Sequence, residues 1–458
     1  MQQELQAFLR SHPTLRFVDL LLHDINGVDR GKRVDVAALP ATFARGLLLP
    51  GSMFALDVQG GTVQATGLGF DEGDADRPCL PVPGTLFAVP WQDHGVAQAQ
   101  VTMHEQDGRP FFADPRHLLA AVLARFVRAG LTPVVAVELE FYLIDPERDA
   151  SGRPQPPRGP LTGRREYRTQ INSMTDLDEY SAVLADIDAA CRAQCVPATS
   201  ALAEYGPGQF EVNLAHRADA LAACDESVRF KRIVKSVSRR HGMDATFMAK
   251  PYRDMAGSGL HLHVSLLDAA GRNIFADERA QGSEALLQSI AGCLATAADG
   301  MALFAPNANS WRRLRPEAYV PLTAAWSINN RGTALRIPAS DAANRRLEHR
   351  IAGADANPYL VMAWVLAGIL QGLEAGQLPA ARVEGNAYRT SSTSAGAAAE
   401  PLPRHWPTAI ERFAASDFAA QALGPAFRHL YATVKQAELD DFESHVTPLE
   451  CALYLAPL

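Results

Sequence analysis

Two carboxylates one residue apart interrupt an otherwise apolar stretch, VVAVELEFYL at residues 134–143. The stretch has the length of a strand and is rich in Val, Phe and Tyr, which predicts a β-strand. Because side chains alternate along a strand, Glu138 and Glu140 point to one face and apolar residues such as Val137 and Leu139 point to the other. Such a pair of carboxylates is either a solvated strand face or part of a site that faces a cation.

Three further stretches separate polar from apolar side chains in the same way: GSGLHLHVSL (257–266) with His261 and His263, ALAEYGPGQFEVNL (201–214) with Glu204 and Glu211, and RRLEHR (345–350) with Arg346, Glu348 and Arg350. A single stretch of this kind has a simpler explanation, such as a core histidine with its hydrogen bonds satisfied or a solvated charged face. Four such stretches predict one shared polar interior. Its predicted lining is Glu138, Glu140, Glu204, Glu211, Glu348 and His261.

Five carboxylates in one interior need compensating charge. A buried, unpaired carboxylate is strongly unfavourable, or else it takes up a proton. Divalent cations remove the conflict, because carboxylate oxygens suit Mg²⁺ and a histidine among them also accommodates Mn²⁺. Six ligands favour two metal ions over one.

Arginines follow in the same part of the chain: Arg312 and Arg313 in NSWRRL, Arg331 and Arg336 in NNRGTALRIP, and Arg350. Several metals beside arginines indicate phosphoryl transfer, in which cations neutralise the charge of the moving phosphate. There is no GxxxxGK[ST] phosphate loop, so a nucleotide would have to be held in another way. The residues alone therefore predict an α/β enzyme that uses a metal-bound nucleotide.

Composition limits the class of protein. Of 458 residues, 47% are apolar and 21% charged, as in an ordinary globular protein. The net charge of −8 argues against a nucleic-acid partner, which would need a basic face. The N-terminus lacks a basic segment followed by an apolar one, so we expect no signal peptide and a cytoplasmic protein. The six scattered cysteines are expected to be reduced and packed as small hydrophobes.

The longest apolar run, YLVMAWVLAGIL at residues 359–370, is too short to span a bilayer. Asn357 and Pro358 precede it as an N-cap and a first-turn proline, which predicts a buried helix and no membrane partner. Residues 114–130 predict another helix, capped by Asp114. Asn26-Gly27 predicts a hairpin turn in a strand-rich N-terminal part.

Beyond residue 130, strands alternate with helical segments, which predicts a mixed α/β domain. Two stretches rich in small residues and proline, 151–165 and 389–407, are predicted to be loops.

The motifs resemble the glutamine synthetase family over nearly the full chain, and most of all its γ-glutamylpolyamine or γ-glutamylputrescine synthetase branch. The matching stretches follow in the family's order: FVDLLLHDINGVDRGK, VELEF, AEYGPGQFE, GSGLHLHVSL, NSWRRL, NNRGTALRIP, RRLEHR and ANPYL. The resemblance implies an α+β fold. A small β-grasp domain would occupy residues 1–108, and a catalytic α/β domain with an open-barrel active site would occupy residues 109–458.

The resemblance also implies roles for individual residues. One metal would be held by Glu140, Glu204 and Glu211, and the other by Glu138, His261 and Glu348. The nucleotide would be contacted by His263, Ser265 and Arg336, and the transferring phosphoryl group by Arg331. Glutamate would be held by Arg313 and Arg350 beside Gly257 and Gly259, with Tyr319 also at the substrate site.

The implied reaction uses ATP, glutamate and a small amine, with two or more Mg²⁺ or Mn²⁺ ions per subunit. The γ-carboxylate of glutamate attacks ATP to give γ-glutamyl phosphate, and the amine then displaces phosphate to form an amide. The family's assembly implies a homo-oligomer, a dodecamer of two stacked hexamers. The branch implies a role in polyamine catabolism.

Departures from the ammonia-using members favour a larger amine. In LLLPGSMF, Pro50 stands where those members have an aspartate that helps to bind ammonium. In RLRPEAYVP, Tyr319 aligns with their flap glutamate, although Glu317 is two residues away.

Ala256 replaces a frequent asparagine that contacts glutamate, and Tyr388 is surrounded by residues that do not match the family's modification site.

Two alternatives stay open at this point. One is an ordinary glutamine synthetase that uses ammonia, and the other is a non-catalytic relative that serves as a binding or assembly protein. The sequence does not identify the amine: putrescine, spermidine, ethanolamine and other monoamines all fit.

Overall fold

The computed structural model of this chain describes residues 2–389 and 400–456. Their strands form two sheets, one in the N-terminal quarter of the chain and one in the remainder. A single large hydrophobic cluster includes residues of both sheets, such as Val18 and Leu20 from the first and Leu139 and Phe141 from the second. The two sheets are therefore joined by a continuous apolar core.

The first sheet has six strands: β1 Phe17–His23, β2 Asp29–Asp35, β3 Leu47–Pro50, β4 Asp76–Pro81, β5 Phe87–Ala88 and β6 Val96–Met103. Their order is β2-β1-β6-β4-β3, with β5 also paired to β6. Only the β1–β6 pair is parallel. β1 and β2 form the hairpin predicted from Asn26-Gly27, and Gly27 has the positive φ of 71° that the turn requires.

The second sheet has eight strands: β7 Thr132–Ile144, β8 Ala198–Ala203, β9 Gln209–Leu214, β10 Asp244–Thr246, β11 Leu260–Leu267, β12 Trp326–Ile328, β13 Leu335–Ile337 and β14 Leu347–His349. Their order is β12-β13-β14-β11-β7-β9-β8, with β10 paired to β7. The four stretches singled out in the sequence lie on or beside the adjacent strands β14, β11, β7, β9 and β8. The sequence prediction of strands at residues 134–143 and 257–266 is confirmed.

Helices connect and cover these strands: α1 Gln2–Ser11, α2 Leu39–Arg45, α3 Pro115–Arg128, α4 Met174–Glu179, α5 Ser181–Ala193, α6 Ala220–Arg240, α7 Glu284–Ala297, α8 Met301–Phe304, α9 Pro358–Ala375, α10 Trp406–Ala415, α11 Asp417–Leu423, α12 Pro425–Ser444 and α13 Pro448–Tyr454. Strands alternating with helices after residue 130 confirm the predicted mixed α/β organisation.

The two helices predicted from caps form as expected. Asp114 accepts a hydrogen bond from the backbone N–H of Arg116 at the start of α3, and Asn357 does the same for Tyr359 at the start of α9. α9 is long and apolar enough to cross a membrane, but 78% of that window is buried inside the protein. It is the buried core helix that the sequence predicted.

Two expectations need correction. All six cysteines are free, but Cys195 and Cys451 are exposed rather than packed in the core, because Cys195 follows the end of α5 and Cys451 lies on the exposed α13. The predicted loop 389–407 lies mostly outside the described residues, and its last two positions already belong to α10. The other predicted loop, 151–165, contains no described helix or strand.

Candidate active site

Backbone pairing in the second sheet sets the predicted polar residues side by side. On β7, Glu138 lies opposite His261 of β11 on one side and Asn213 of β9 on the other. Two positions further along β7, Glu140 lies opposite Glu211 of β9. Because these residues share one face of adjacent strands, the shared polar interior predicted from alternation is present.

A further row lies two residues along in the opposite direction. His263 of β11 is opposite Glu348 of β14, and Glu348 is opposite Arg336 of β13. Glu204 reaches the same region from the turn after β8, which is closed by a hydrogen bond from the Glu204 N–H to the Gln209 carbonyl.

Three groups of side chains bring potential ligand atoms within 4.8 Å of one another: Glu140 with Glu204 and Glu211, Glu138 with Glu211 and His261, and Glu138 with His263 and Glu348. The first is the set that the family resemblance implied for one metal. The set that the resemblance implied for the other metal was Glu138, His261 and Glu348. In the structure, His263 rather than His261 lies with Glu138 and Glu348. Glu211 is common to the first two groups and Glu138 to the last two, so together they link the two ends of the cluster.

The first group is electrostatically uncompensated. Burial and the charge of Glu204 raise the pKa of Glu140 to about 7. Burial and the charge of Glu211 raise the pKa of Glu204 to about 7, and burial with Glu140 raises the pKa of Glu211 to about 8. None of these carboxylates is ion-paired to a basic nitrogen within 4.0 Å among the described residues. Their donors are neutral, such as the Gly259 N–H at 2.8 Å from Glu140.

Glu138 and Glu348 are compensated instead. Although burial opposes ionisation, hydrogen bonds with His261 and His263 hold the pKa of Glu138 well below its usual range. Glu348 is fully buried, yet the charge of Arg350 lowers its pKa to about 2. Burial and the charge of Arg350 also lower the pKa of His261 to about 4, so this imidazole is neutral and available as a ligand.

Arginines border the cluster at the β13–β14 side. Arg336 donates from Nη1 to Glu348 at 2.7 Å and from Nη2 to Asn329 at 2.8 Å. Arg350 donates to the other oxygen of Glu348 and, at 3.2 Å, to the carbonyl of Arg331. Arg346 lies with its Nε 3.2 Å from Nδ1 of His263. Arg331 is itself exposed, and its charge acts on Glu204.

The predicted glutamate-binding residues also come together. Arg313 is buried and donates to the Ile351 carbonyl at 2.8 Å. Both glycines of the Gly-Ser-Gly turn lie against it: a Cβ at Gly257 would be 2.8 Å from Cγ of Arg313, and a Cβ at Gly259 would be 2.9 Å from its Nη2. Small residues at these positions leave the guanidinium accessible from the cluster, since Gly259 also borders Glu140.

Other predicted residues lie apart from these contacts. Tyr319 is 57% exposed, in a surface segment where both it and Glu317 have positive φ. Ser265 is half-buried two positions beyond His263 on β11. Tyr388 donates to the Val320 carbonyl, which links it to the segment that carries Tyr319. Pro50 ends β3 in the first sheet. The substrate role of Tyr319 and the nucleotide role of Ser265 stay predictions.

Two residues at the site were missed in the sequence. Asn213 donates to Glu211 at 3.0 Å, and Gln209 donates to the Gly257 carbonyl at 3.0 Å. Each lies two residues from Glu211 on β9 and so shares its strand face. The two-residue period that identified Glu211 would have revealed them.

The donor set fits divalent metal ions. Three converging carboxylates without a basic partner, a neutral histidine and ligand atoms within 4.8 Å are the chemistry that Mg²⁺ and Mn²⁺ require. A cation bound between the carboxylates of the first group would relieve the repulsion that raises their pKa values.

Comparison with known proteins defines the family. Residues 112–454 match the catalytic domain of glutamine synthetase, and the chain therefore belongs to the glutamine synthetase family. It is 43% identical over 449 residues to the gamma-glutamylputrescine synthetase of Escherichia coli (strain K12), which covers 98% of this chain and 93% of that enzyme.

A second relative, the glutamate–isopropylamine ligase of a Pseudomonas species, is 32% identical over 94% of this chain and 93% of its own. Among solved structures, the GmaS/ADP complex aligns with a TM-score of 0.85 at 30% identity, over 99% of this chain and 100% of that one. The similarity to amine-specific members extends over almost the entire chain, including the N-terminal sheet.

Proposed function

We propose that this protein is an ATP-dependent ligase that joins the γ-carboxylate of glutamate to an amine. The observation that carries the proposal is the uncompensated carboxylate group of Glu140, Glu204 and Glu211 beside the arginines of β13 and β14. A metal-ion site next to arginine side chains suits the transfer of a phosphoryl group between two anions, because both kinds of cation offset the negative charge. The similarity to a gamma-glutamylputrescine synthetase and a glutamate–isopropylamine ligase supports this reaction.

Two divalent ions, Mg²⁺ or Mn²⁺, would be held by the clustered residues. Glu140, Glu204 and Glu211 would hold one. Glu138, His261 and Glu348 would hold the other, with His263 beside Glu138 and Glu348, and His261 beside Glu138 and Glu211. When bound, such ions neutralise the charge of the nucleotide phosphates. His263, Ser265 and Arg336 would contact the nucleotide.

The reaction would proceed in two steps. A γ-carboxylate oxygen of glutamate attacks the γ-phosphorus of ATP, the bond to the β–γ bridging oxygen breaks, and ADP leaves. The amine nitrogen then attacks the carbonyl carbon of γ-glutamyl phosphate, phosphate leaves with the electrons of the C–O bond, and the amine loses a proton. Arg331 would stabilise the phosphoryl group during transfer, because a guanidinium donates charge-assisted hydrogen bonds to oxygens that develop negative charge.

Glutamate would be positioned by two buried arginines. Among the described residues, Arg313 donates a hydrogen bond only from Nη1, to the Ile351 carbonyl, and the rest of its guanidinium lies beside Gly257 and Gly259. Arg350 is fixed by Glu348 and by the Arg331 carbonyl. Holding the substrate carboxylates in one orientation lowers the entropic cost of the first step.

The second substrate would be an organic amine rather than ammonium. By the family resemblance, Pro50 would stand where ammonia-using members supply a carboxylate. Tyr319, two residues from Glu317, would stand in place of their flap glutamate. Acidic groups that would bind a small cation would then be replaced by apolar and aromatic ones. Diamines, polyamines and monoamines remain candidates within this class.

We also propose the finer organisation implied by the family. The first sheet and its helices, within residues 1–108, would form the β-grasp domain, and residues 109–458 would form the catalytic domain around an open barrel. The enzyme would work in the cytoplasm, in polyamine catabolism, as a dodecamer of two stacked hexamers.

A phosphate-release assay with glutamate, ATP and Mg²⁺ tests the proposal. Ammonium, ethanolamine, isopropylamine, putrescine and spermidine are compared at equal concentration, and products are identified by mass. We expect turnover with at least one organic amine to exceed turnover with ammonium. Preference for ammonium would favour an ordinary glutamine synthetase, and no amine-dependent ADP release would favour a non-catalytic relative.

A further inference from the structure

A cavity lies away from the acidic cluster, between the β1–β2 turn, helix α6 and helix α12. Its volume is about 360 Å³, within the range of small-molecule sites. The basic side chains that line it are Lys231, Arg232 and Lys235 of α6 and Lys435 of α12. None of the residues assigned above to metal, nucleotide or glutamate lines this cavity.

Lysine is rare in this chain, which uses arginine for almost all its positive charge. Only Lys32, Lys231, Lys235, Lys250 and Lys435 occur among 43 basic residues. Three of these five line the one cavity, which we call the lysine cavity. An ammonium group is a compact point charge that binds oxyanions from several directions, whereas arginine presents a fixed planar fork.

Two of the four basic groups already have carboxylate partners. Lys435 is 2.8 Å from Glu438, and Arg232 is 2.9 Å from Asp19. Among the described residues, Lys231 and Lys235 have no carboxylate oxygen within 4.0 Å. These two lysines are therefore the basic groups of the cavity that could pair with an anionic ligand.

Two carboxylates also line the lysine cavity, but both have other partners. Asp29 is 3.1 Å from His23 and 3.7 Å from Arg232. Asp355 accepts hydrogen bonds from Asn307 at 2.9 Å and Ser310 at 2.7 Å. They lessen the positive potential of the cavity without pairing directly with Lys231 or Lys235.

Lys231 and Lys235 are four residues apart on α6 and so face the same side of the helix, where like charges repel. Lys231 donates to the backbone carbonyls of Ala354 at 2.7 Å and Ala356 at 3.1 Å. Burial, followed by the charge of Lys235, lowers its pKa to about 7. A bound anion would remove the repulsion that this arrangement otherwise leaves.

We propose that the lysine cavity binds a small metabolite whose carboxylate or phosphate group lies between Lys231 and Lys235. Two apolar residues that also line the cavity, Val58 and Phe247, would contact the rest of the molecule. The site is separate from the active site and does not depend on the ligase activity proposed above, because binding is measurable without turnover.

The position of Lys231 connects the lysine cavity to the glutamate site. The carbonyls that it contacts flank Asp355, and Asp355 holds Ser310 in the short segment that leads to Arg313. An anion that draws Lys231 away from these carbonyls would loosen this segment. Occupancy is therefore expected to change the KM for glutamate more than kcat.

Calorimetric titration of the full-length protein with succinate, and separately with inorganic phosphate, tests the site at constant ionic strength. Lys235→Gln and Lys235→Glu remove or reverse a charge that is exposed and makes no described ion pair, so both variants should fold. Lys32→Gln, at an exposed lysine on β2, is the matched control. The two titrants show whether the carboxylate or the phosphate is the better ligand.

We expect at least one of the two anions to have the same affinity for the wild-type protein and for Lys32→Gln. Its affinity for Lys235→Glu should be lower by at least about ten-fold. Because both anions can also enter the active site, the titration is repeated with saturating glutamate and MgADP. Equal affinity in all variants, or complete loss of the signal when the active site is filled, would overturn the proposal.

Discussion

Nε2 of His263 lies 2.7 Å from one oxygen of Glu138, and Nδ1 of His261 lies 3.3 Å from the other. Two imidazoles therefore hydrogen-bond to Glu138, while Glu140, two residues away on the same strand face, has no hydrogen bond to an imidazole or a basic side chain among the described residues. On one strand face, therefore, Glu138 has hydrogen-bond partners that favour its ionised form, whereas the charge of Glu140 would be balanced by a bound cation.

This division predicts a pH dependence of metal binding. Raised pKa values of about 7 for Glu140 and about 8 for Glu211 mean that Mg²⁺ must displace protons from these groups at neutral pH. The affinity for Mg²⁺ should rise between pH 6 and pH 8 by up to about ten-fold per pH unit for each proton released, and then level off. Isothermal titration in buffers of different ionisation enthalpy measures both affinity and proton release. A flat affinity over this range would contradict the assignment.

The same shifts predict the stability of the metal-free protein. The folded state binds more protons than the unfolded state wherever a carboxyl pKa is raised, so stability falls as pH increases from about 4.5 through about 7. Added Mg²⁺ should therefore raise the melting temperature more at pH 8 than at pH 6. Thermal unfolding with and without Mg²⁺ tests this expectation, and a larger effect at the lower pH would count against it.

Glu211→Gln should have opposite effects with and without metal. Because the substitution removes one of the repelling charges, the metal-free protein should unfold at a higher temperature. Because it also removes a metal ligand, the stabilisation by Mg²⁺ should become smaller and turnover should fall by about 100-fold or more. Glu278→Gln, at an exposed carboxylate outside the cluster, is the control and should change neither property. If Glu211→Gln also left both unchanged, the cluster would not be the metal site.

Gly259→Ala should damage the glutamate site without unfolding the protein. A Cβ there would lie 2.9 Å from Nη2 of Arg313 and 2.9 Å from Nε2 of His261, so both side chains must shift. A displacement of this size in positioning residues is expected to lower kcat/KM for glutamate by about 100-fold. Steady-state kinetics and the melting temperature are measured together. Normal kinetics in a folded variant would show that Arg313 does not hold substrate.

Asn213→Ala should weaken metal binding indirectly. The side chain donates to Glu211 at 3.0 Å and so favours its ionised form. Its loss should reduce Mg²⁺ affinity by about ten-fold at pH 7 and move the pH midpoint of binding upward. Saturating Mg²⁺ or higher pH should restore most of the turnover. A loss of turnover that neither condition restores would indicate a purely structural role.

Alternation along strands predicted much of the candidate site, because the carboxylates and histidines of β7, β9, β11 and β14 all follow a two-residue period. Alternation does not determine which residues face each other across strands, since register depends on distant pairing. For this reason the grouping of His263 with Glu138 and Glu348 emerged only from the structure. Caps predicted α3 and α9 correctly because those signals are local.

Features built from distant segments were beyond sequence reasoning. The lysine cavity combines the β1–β2 turn, α6 and α12, which lie hundreds of residues apart. The exposure of Tyr319 likewise depends on the backbone turn at Glu317 and Tyr319, where two non-glycine residues have positive φ. No pattern in RLRPEAYVP indicated that geometry.

Formation of γ-glutamyl phosphate can be detected by the transfer of an oxygen atom from glutamate to phosphate. The enzyme is incubated with ATP, Mg²⁺, putrescine and glutamate labelled with ¹⁸O in the γ-carboxylate, and the released phosphate is analysed by mass spectrometry. We predict that each phosphate carries one oxygen from glutamate, because that oxygen bonds to phosphorus when γ-glutamyl phosphate forms. Unlabelled phosphate accompanying amide formation would contradict it.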